Sequence, residues 1–159
     1  SAETTGQEAS DSTTNRLQVV SATGTSLGND NVGVVSLVVK TGPGAGNVDL
    51  ATTTVSWIGP TGSFYQLAES GTSGNPDGRF VYETVQDSDG SSPVLNDQED
   101  RLKIRLDLGS SDLGSGIPFG NELGEGETAT VRITTASGSQ TTEEIAVPQT
   151  ISGTSAVQV

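Results

Sequence analysis

Between Arg101 and Leu108 the chain reads Arg-Leu-Lys-Ile-Arg-Leu-Asp-Leu, and this octapeptide constrains the fold more than any other stretch. Leu102, Ile104, Leu106 and Leu108 alternate strictly with Arg101, Lys103, Arg105 and Asp107. Successive side chains of a strand point to opposite faces, so a period of two predicts a strand with one face in a core and the other wet. A helix would scatter the same four apolar residues around its circumference. Other segments follow the same logic. Thr128–Thr135 and Thr141–Val147 form a hairpin about Ala136-Ser137-Gly138-Ser139, with Ala129, Val131 and Ile133 facing in. Thr53–Gly59 buries Val55 and Trp57 on one side, and Arg16–Ala22, Ser63–Leu67 and Arg79–Val85 read as further strands. Val32–Thr41 is apolar on both faces, which predicts a central strand covered on two sides or one that meets a neighbouring subunit. Residues 109–126 read as one long glycine-bearing loop without a helix. About eight short strands with frequent turn signals predict an all-β fold, an antiparallel immunoglobulin-like β-sandwich.

Composition sets the limits of that sandwich. Val, Leu, Ile and Phe number 36 of 159 residues, a little above the roughly one-fifth below which a highly charged chain stays unfolded. Residues 1–15 carry no periodic apolar residue and read as a flexible lead-in, so residues 16–159 make the single β-domain. The formal net charge is −13, with 20 acidic against 7 basic residues, two of them lysine. Nucleic acid is a poor partner for such a surface, because phosphate binding needs positive charge. An acidic, lysine-poor surface suits concentrated brine, where the screening length falls to about 3 Å at 1 M salt. Stability is therefore expected to fall as salt is lowered towards tens of millimolar, and a melting temperature indifferent to ionic strength would contradict it. No apolar run approaches the ~20 residues that span a membrane, so no membrane contact is expected of this domain.

The chain has no cysteine and no histidine. That removes Ser-His and Cys-His nucleophiles and most zinc sites, and no catalytic residue is expected. Oxygen ligands are plentiful. Asp87-Ser88-Asp89-Gly90 resembles part of a calcium loop, and Asn96-Asp97-Gln98-Glu99-Asp100 follows closely. Hard cations want several oxygens near a glycine turn, so Asp87, Asp89, Asp97 and Asp100 are candidate ligands for Ca2+ or Na+. The plainer account is a pair of solvated acidic turns, since the twelve-residue spacing and closing glutamate of a calcium loop are missing. Arg101, Lys103 and Arg105 form a basic row on one strand face. They serve either cross-strand pairs with acidic neighbours or docking on the next subunit, and with Val35, Leu37 and Val39 they are the candidate subunit contacts. Trp57 reads as core rather than a sugar platform. Gly42-Pro43-Gly44-Ala45-Gly46 lacks the lysine and helix of a phosphate loop.

Several strings carry a family resemblance. The ending Val147-Pro148-Gln149-Thr150-Ile151-Ser152-Gly153-Thr154-Ser155-Ala156-Val157 resembles the C-terminus of archaellins, the filament subunits of the archaeal flagellum. Asn15-Arg16-Leu17-Gln18-Val19-Val20-Ser21-Ala22-Thr23-Gly24 is similar to the segment after their N-terminal helix, Val55-Ser56-Trp57-Ile58-Gly59-Pro60 to a mid-domain strand and turn, and residues 95–108 to the acidic loop and strand before the closing hairpin. The order is right, and the acidity suggests a haloarchaeal member. The resemblance implies an extracellular subunit of a swimming filament, with other archaellin chains as partners. It also implies a hydrophobic assembly helix, cut by a prepilin-type peptidase, ahead of Ser1, with residues 1–15 as the flexible linker that follows it. The chain is thus expected to be an outer domain lacking that helix, monomeric or only weakly associating by itself. None of the asparagines stands in an Asn-x-Ser/Thr sequon, so N-linked glycans on this domain are not expected. The alternative from the residues is a surface adhesin or pilin module that grips a ligand through its loops.

Overall fold

The computed structural model describes residues 16–69, 76–109, 112–113 and 118–159; the lead-in expected over 1–15 lies outside them. The strands are β1 (Leu17–Thr25), β2 (Asn31–Val32), β3 (Val34–Thr41), β4 (Val48–Asp49), β5 (Thr54–Ile58), β6 (Phe64–Glu69), β7 (Gly78–Gln86), β8 (Val94–Leu95), β9 (Arg101–Asp107), β10 (Leu123–Gly124), β11 (Thr128–Thr134), β12 (Gln140–Ala146) and β13 (Val157–Gln158). Nine of them form one sheet in the order β12-β11-β5-β6-β7-β9-β3-β1-β13, while β2 pairs with β10 and β4 with β8 in two-residue ladders. Helical turns among the described residues are confined to Gly28–Asp30 and Leu50–Thr52.

The sandwich arises because this sheet folds over at β7. Residues 78–80 pair with β6, whereas residues 81–86 pair with β9. One strand thus serves both layers in succession, a recognised way to turn the corner of a β-sandwich. The β6–β7 ladder is parallel, where sequence patterning predicted antiparallel neighbours throughout. A parallel pair needs a crossover rather than a tight turn, and at this seam the Asp77 amide donates to the Gln66 carbonyl at 2.9 Å. The far side of the curl closes as well: Thr141 Oγ1, on β12, donates to the Leu17 carbonyl of β1 at 2.5 Å.

The core follows the alternation. Leu102, Ile104 and Leu106 from β9, Val55 and Trp57 from β5, and Ala129, Val131 and Ile133 from β11 are all buried in one cluster with Phe80, Leu67 and Leu50. The hairpin of β11 and β12 forms as expected, with Thr134 opposite Gln140, and ends one edge of the sheet. At the other edge, β13 pairs antiparallel with β1. Gly24 is needed there: a Cβ would lie 2.9 Å from Val32 Cγ1 and 3.2 Å from Val159 Cγ1, closer than carbon atoms pack.

Candidate functional site

The connections flanking β8 bring three acidic residues together. One carboxylate oxygen from each of Asp87, Asp89 and Asp100 lies within 4.8 Å of the others. Two oxygens bound to one ion at about 2.4 Å lie no more than about 4.8 Å apart, so this spacing fits a single Ca2+- or Na+-sized cation. The sequence folds here because short polar side chains bind the backbone of their own turn. Asp87 accepts from the Ser92 amide at 2.8 Å and from Ser92 Oγ at 2.7 Å. The Ser92 hydroxyl bond, with help from Asp89 and the Ser91 and Ser92 amides, holds the Asp87 carboxyl well below the ordinary carboxylate range. Asn96 Nδ2 donates to Asp89 Oδ2 at 2.8 Å, and the Asn96 amide donates to Asp100 Oδ2 at 3.2 Å.

Asp100 is 2% exposed, and its Oδ1 has no hydrogen-bond donor. An unsatisfied buried polar atom is costly, more so when it carries charge. Asp97, the fourth ligand expected from the sequence, does not join the cluster. Its Oδ1 instead accepts the Glu99 amide at 3.0 Å, because an aspartate two residues before a free amide closes an Asx turn. Ser91, Ser92 and Asn96 were missed as participants. Their sole signal was polar character between two acidic strings.

The basic row stands on the outer face of β9. Lys103 lies opposite Val38 of β3 and Glu83 of β7, and Arg105 opposite Ser36 and Val81. Arg105 Nη1 meets Glu83 Oε2 at 3.7 Å. Arg101 Nη1 donates to the Gln98 carbonyl at 2.7 Å and to the Asp100 carbonyl at 3.0 Å, which ties the row to the acidic cluster. Val35, Leu37 and Val39, expected as subunit contacts, are fully buried inside the domain. They pair with Leu106, Ile104 and Leu102 on the inner face of the sheet and have no surface to offer a neighbour. The other face of their strand is less apolar than it reads, since Ser36 and Lys40 alternate there with Val34 and Val38. Asp107, expected on the wet face, is fully buried. Leu113 and Phe119 lie against it: Leu113 N donates to its Oδ2 at 2.9 Å and Phe119 N donates to its carbonyl at 3.1 Å.

A small cleft of about 170 Å3 opens between the β5–β6 turn and residues 120–127, lined by Trp57, Tyr65, Glu122 and Glu127 among others. It is smaller than the roughly 300–1,000 Å3 of small-molecule sites. Trp57 is its floor rather than an exposed platform, buried to 1% and set edge-on against Phe119 at 5.7 Å.

A family model described as archaeal-type flagellin matches residues 1–145. The chain belongs to the archaeal-type flagellin family. This flagellin is 34% identical over 153 residues to Flagellin B1 of Halobacterium salinarum, covering 96% of this chain and 74% of that one. It is also 34% identical over 157 residues to Flagellin B1 of Natrialba magadii, covering 94% and 73%. The fold is shared with the crystal structure of archaeal flagellin FlaB1 from Methanocaldococcus jannaschii, at a TM-score of 0.68 and 15% identity over 89% of this chain and 94% of that one. The archaeal flagellum of Methanospirillum hungatei has the same fold at a TM-score of 0.64, with 15% identity over 96% of this chain and 77% of that one. The resemblance read from the ordered strings of the flagellin sequence thus stands, and both flagellins B1 that it matches are haloarchaeal. The family is one of structural filament subunits, not enzymes.

Proposed function

We propose that residues 16–159 are the outer β-domain of a filament subunit of the archaellum, the extracellular appendage with which archaea swim. Membership of the archaeal-type flagellin family, with haloarchaeal flagellins matched over nearly the whole chain, carries this reading. The domain's work is mechanical: many copies, alone or with other archaellins, present a folded β-surface to brine. Mass spectrometry of sheared, purified archaella from the native host tests it. Peptides from residues 16–159 are expected in the filament, and filaments that lack them would overturn the assignment.

Within that domain, Asp87, Asp89 and Asp100 hold a hard cation, Ca2+ or Na+. The observation that favours an ion over merely solvated turns is the buried, unpartnered Oδ1 of Asp100 beside two other carboxylates. The ion's role is structural: it ties the segment after β7 to the start of β9 by neutralising three carboxylates at close range. Calcium added at molar NaCl is expected to give a calorimetric binding heat and to raise the melting temperature, with a gain of about 2.7 kcal/mol at a hundred times Kd. Asp100→Asn is expected to abolish both effects while Asp97→Asn leaves them intact. A wild-type titration silent in heat and in melting temperature would dispose of the site.

A further inference from the structure

We propose that the outer face of β1-β3-β9-β7 in one copy receives the acidic rim of the cleft between the β5–β6 turn and residues 120–127 in the next copy. The inference rests on the filament reading above and supplies a polarity for the contact. It starts from how charge is distributed. Four of the chain's seven basic residues, Lys40, Arg101, Lys103 and Arg105, occupy that one face. The rows beside them are uncharged: Ser21, Thr23 and Thr25 of β1 oppose Val38, Ser36 and Val34 of β3. Glu83 is the one exposed carboxylate among the described residues of these rows, and it is already engaged by Arg105. In a chain of net charge −13 this face is positive.

The face is also shaped to receive something. Lys103, Arg105 and Glu83 rim a shallow hollow of about 340 Å3 whose floor includes Ser36 and Val38. On its flanks, bulges in β1 and β7 leave Val20 and Val85 half exposed, apolar surface a partner can cover. The complementary patch lies elsewhere on the same molecule. Glu122 and Glu127 line the mouth of the cleft over Tyr65 and Trp57. A carboxylate-edged cleft with an aromatic wall suits a lysine or arginine side chain. The other acidic cluster is a poorer counterpart, because Asp87 and Asp100 turn inward on Ser92 and Asn96.

Because the two patches are different parts of one surface, their contact is heterologous. A contact of that type repeats without closing when its rotation does not return to the start, which is how one chain makes a filament. Brine does not defeat it: screening over about 3 Å at 1 M salt removes long-range steering but spares groups in contact.

Charge exchange in the intact, filament-forming protein of the native host tests the pairing. Lys103→Glu and Glu122→Lys are each expected to reduce filaments per cell by about tenfold, and the double exchange to restore them. Circular dichroism of each purified domain shows whether it remains folded, and Lys103→Gln is the milder variant if Lys103→Glu does not. Unchanged filament numbers in folded Lys103→Glu, or no recovery in the double exchange, would overturn the proposal. The chain's lack of cysteine permits a second measurement on purified filaments. Lys103→Cys with Glu122→Cys is expected to oxidise into a ladder of dimers, trimers and longer chains. Dimers from Lys103→Cys alone would mean a face-to-face contact and refute the polarity, as would filaments that contain the double variant and do not cross-link. Filaments that lack the wild-type chain would instead refute the filament reading itself.

Discussion

Replacing Trp57 with alanine is expected to destabilise the domain by about 3–5 kcal/mol, the range for removing a buried aromatic from a packed core. Trp57 is the only tryptophan of the chain and sits at the centre of a three-way junction. Its strand neighbours are Val131 on β11 and Tyr65 on β6. Phe119 packs edge-on against its ring and also lies 5.7 Å from Tyr65. Phe119 in turn donates its amide to the Asp107 carbonyl at the end of β9, so the indole braces its own layer against that strand. Total stabilities of 5–15 kcal/mol make such a loss about a fifth or more of the whole, or a fall of about 10–15 °C in Tm for a domain of this size. Trp57→Phe keeps an edge-on ring and is expected to cost about 1–2 kcal/mol. Unfolding by urea at fixed molar NaCl, followed by circular dichroism, measures both variants. A loss below about 1 kcal/mol for Trp57→Ala would show that the junction relaxes around the void.

Alternation carried most of this fold in the sequence, and the failures come where alternation is silent. The residues 102, 104 and 106 of β9 fell on the core side as the period required, and so did Val55, Trp57, Ala129, Val131 and Ile133. A period of two tells which face a residue takes within its strand. It does not tell what lies over the other face. Asp107 obeys the polar parity of β9 yet is buried, because Leu113 and Phe119, which the period says nothing about, come to lie against it. Val35, Leu37 and Val39 presented the same problem in reverse: apolar residues fit a core or a subunit contact equally well until the opposing sheet is placed. The parallel join of β6 and β7 was not legible either, since both strands carry ordinary patterns and only the connection distinguishes a hairpin from a crossover.

The acidic cluster was partly legible for a related reason. Composition marked two acidic strings, Asp87–Asp89 and Asp97–Asp100, but turn chemistry decides which carboxylates converge. Asp100 is the residue that leads directly into β9 and is drawn beneath the sheet's end with its neighbour Arg101. Asp97 precedes a free amide two residues on, and the local bond wins over convergence. The basic row, in contrast, was fully visible from spacing alone. What the register added was the absence of carboxylates from the adjacent β1 and β3 rows, and it is that contrast, rather than the cations themselves, on which the proposed interface rests.

Deleting residues 148–159 is expected to cost about 3–5 kcal/mol, from burial of Ile151 and the loss of β13. After β12 the chain passes Gly126, whose amide donates to the Val147 and Pro148 carbonyls at 3.2 and 3.1 Å. Gly126 has φ +75°, and a Cβ on it would meet the Gln149 side chain at 2.9 Å. A side chain there would push the tail off its track. Ile151 then enters the core at 1% exposure, its amide held by Glu125 Oε2 at 3.0 Å. Val157 and Val159 close over the inner side of β1, where the Val159 amide donates to the Ala22 carbonyl at 3.2 Å. The tail therefore links β12 at one end of the strand order to β1 near the other, bracing the curled sheet across its open side. Its removal also bares the hydrogen-bonding edge of β1, and exposed edges pair with other chains. The truncated domain is expected to melt about 10–15 °C lower and to self-associate on light scattering at molar NaCl. Ile151→Ala separates the two effects: it keeps β13 in place, so it is expected to lower the melting temperature without promoting association. A truncated domain as stable and as monomeric as the parent would mean that the tail is only draped on the sandwich.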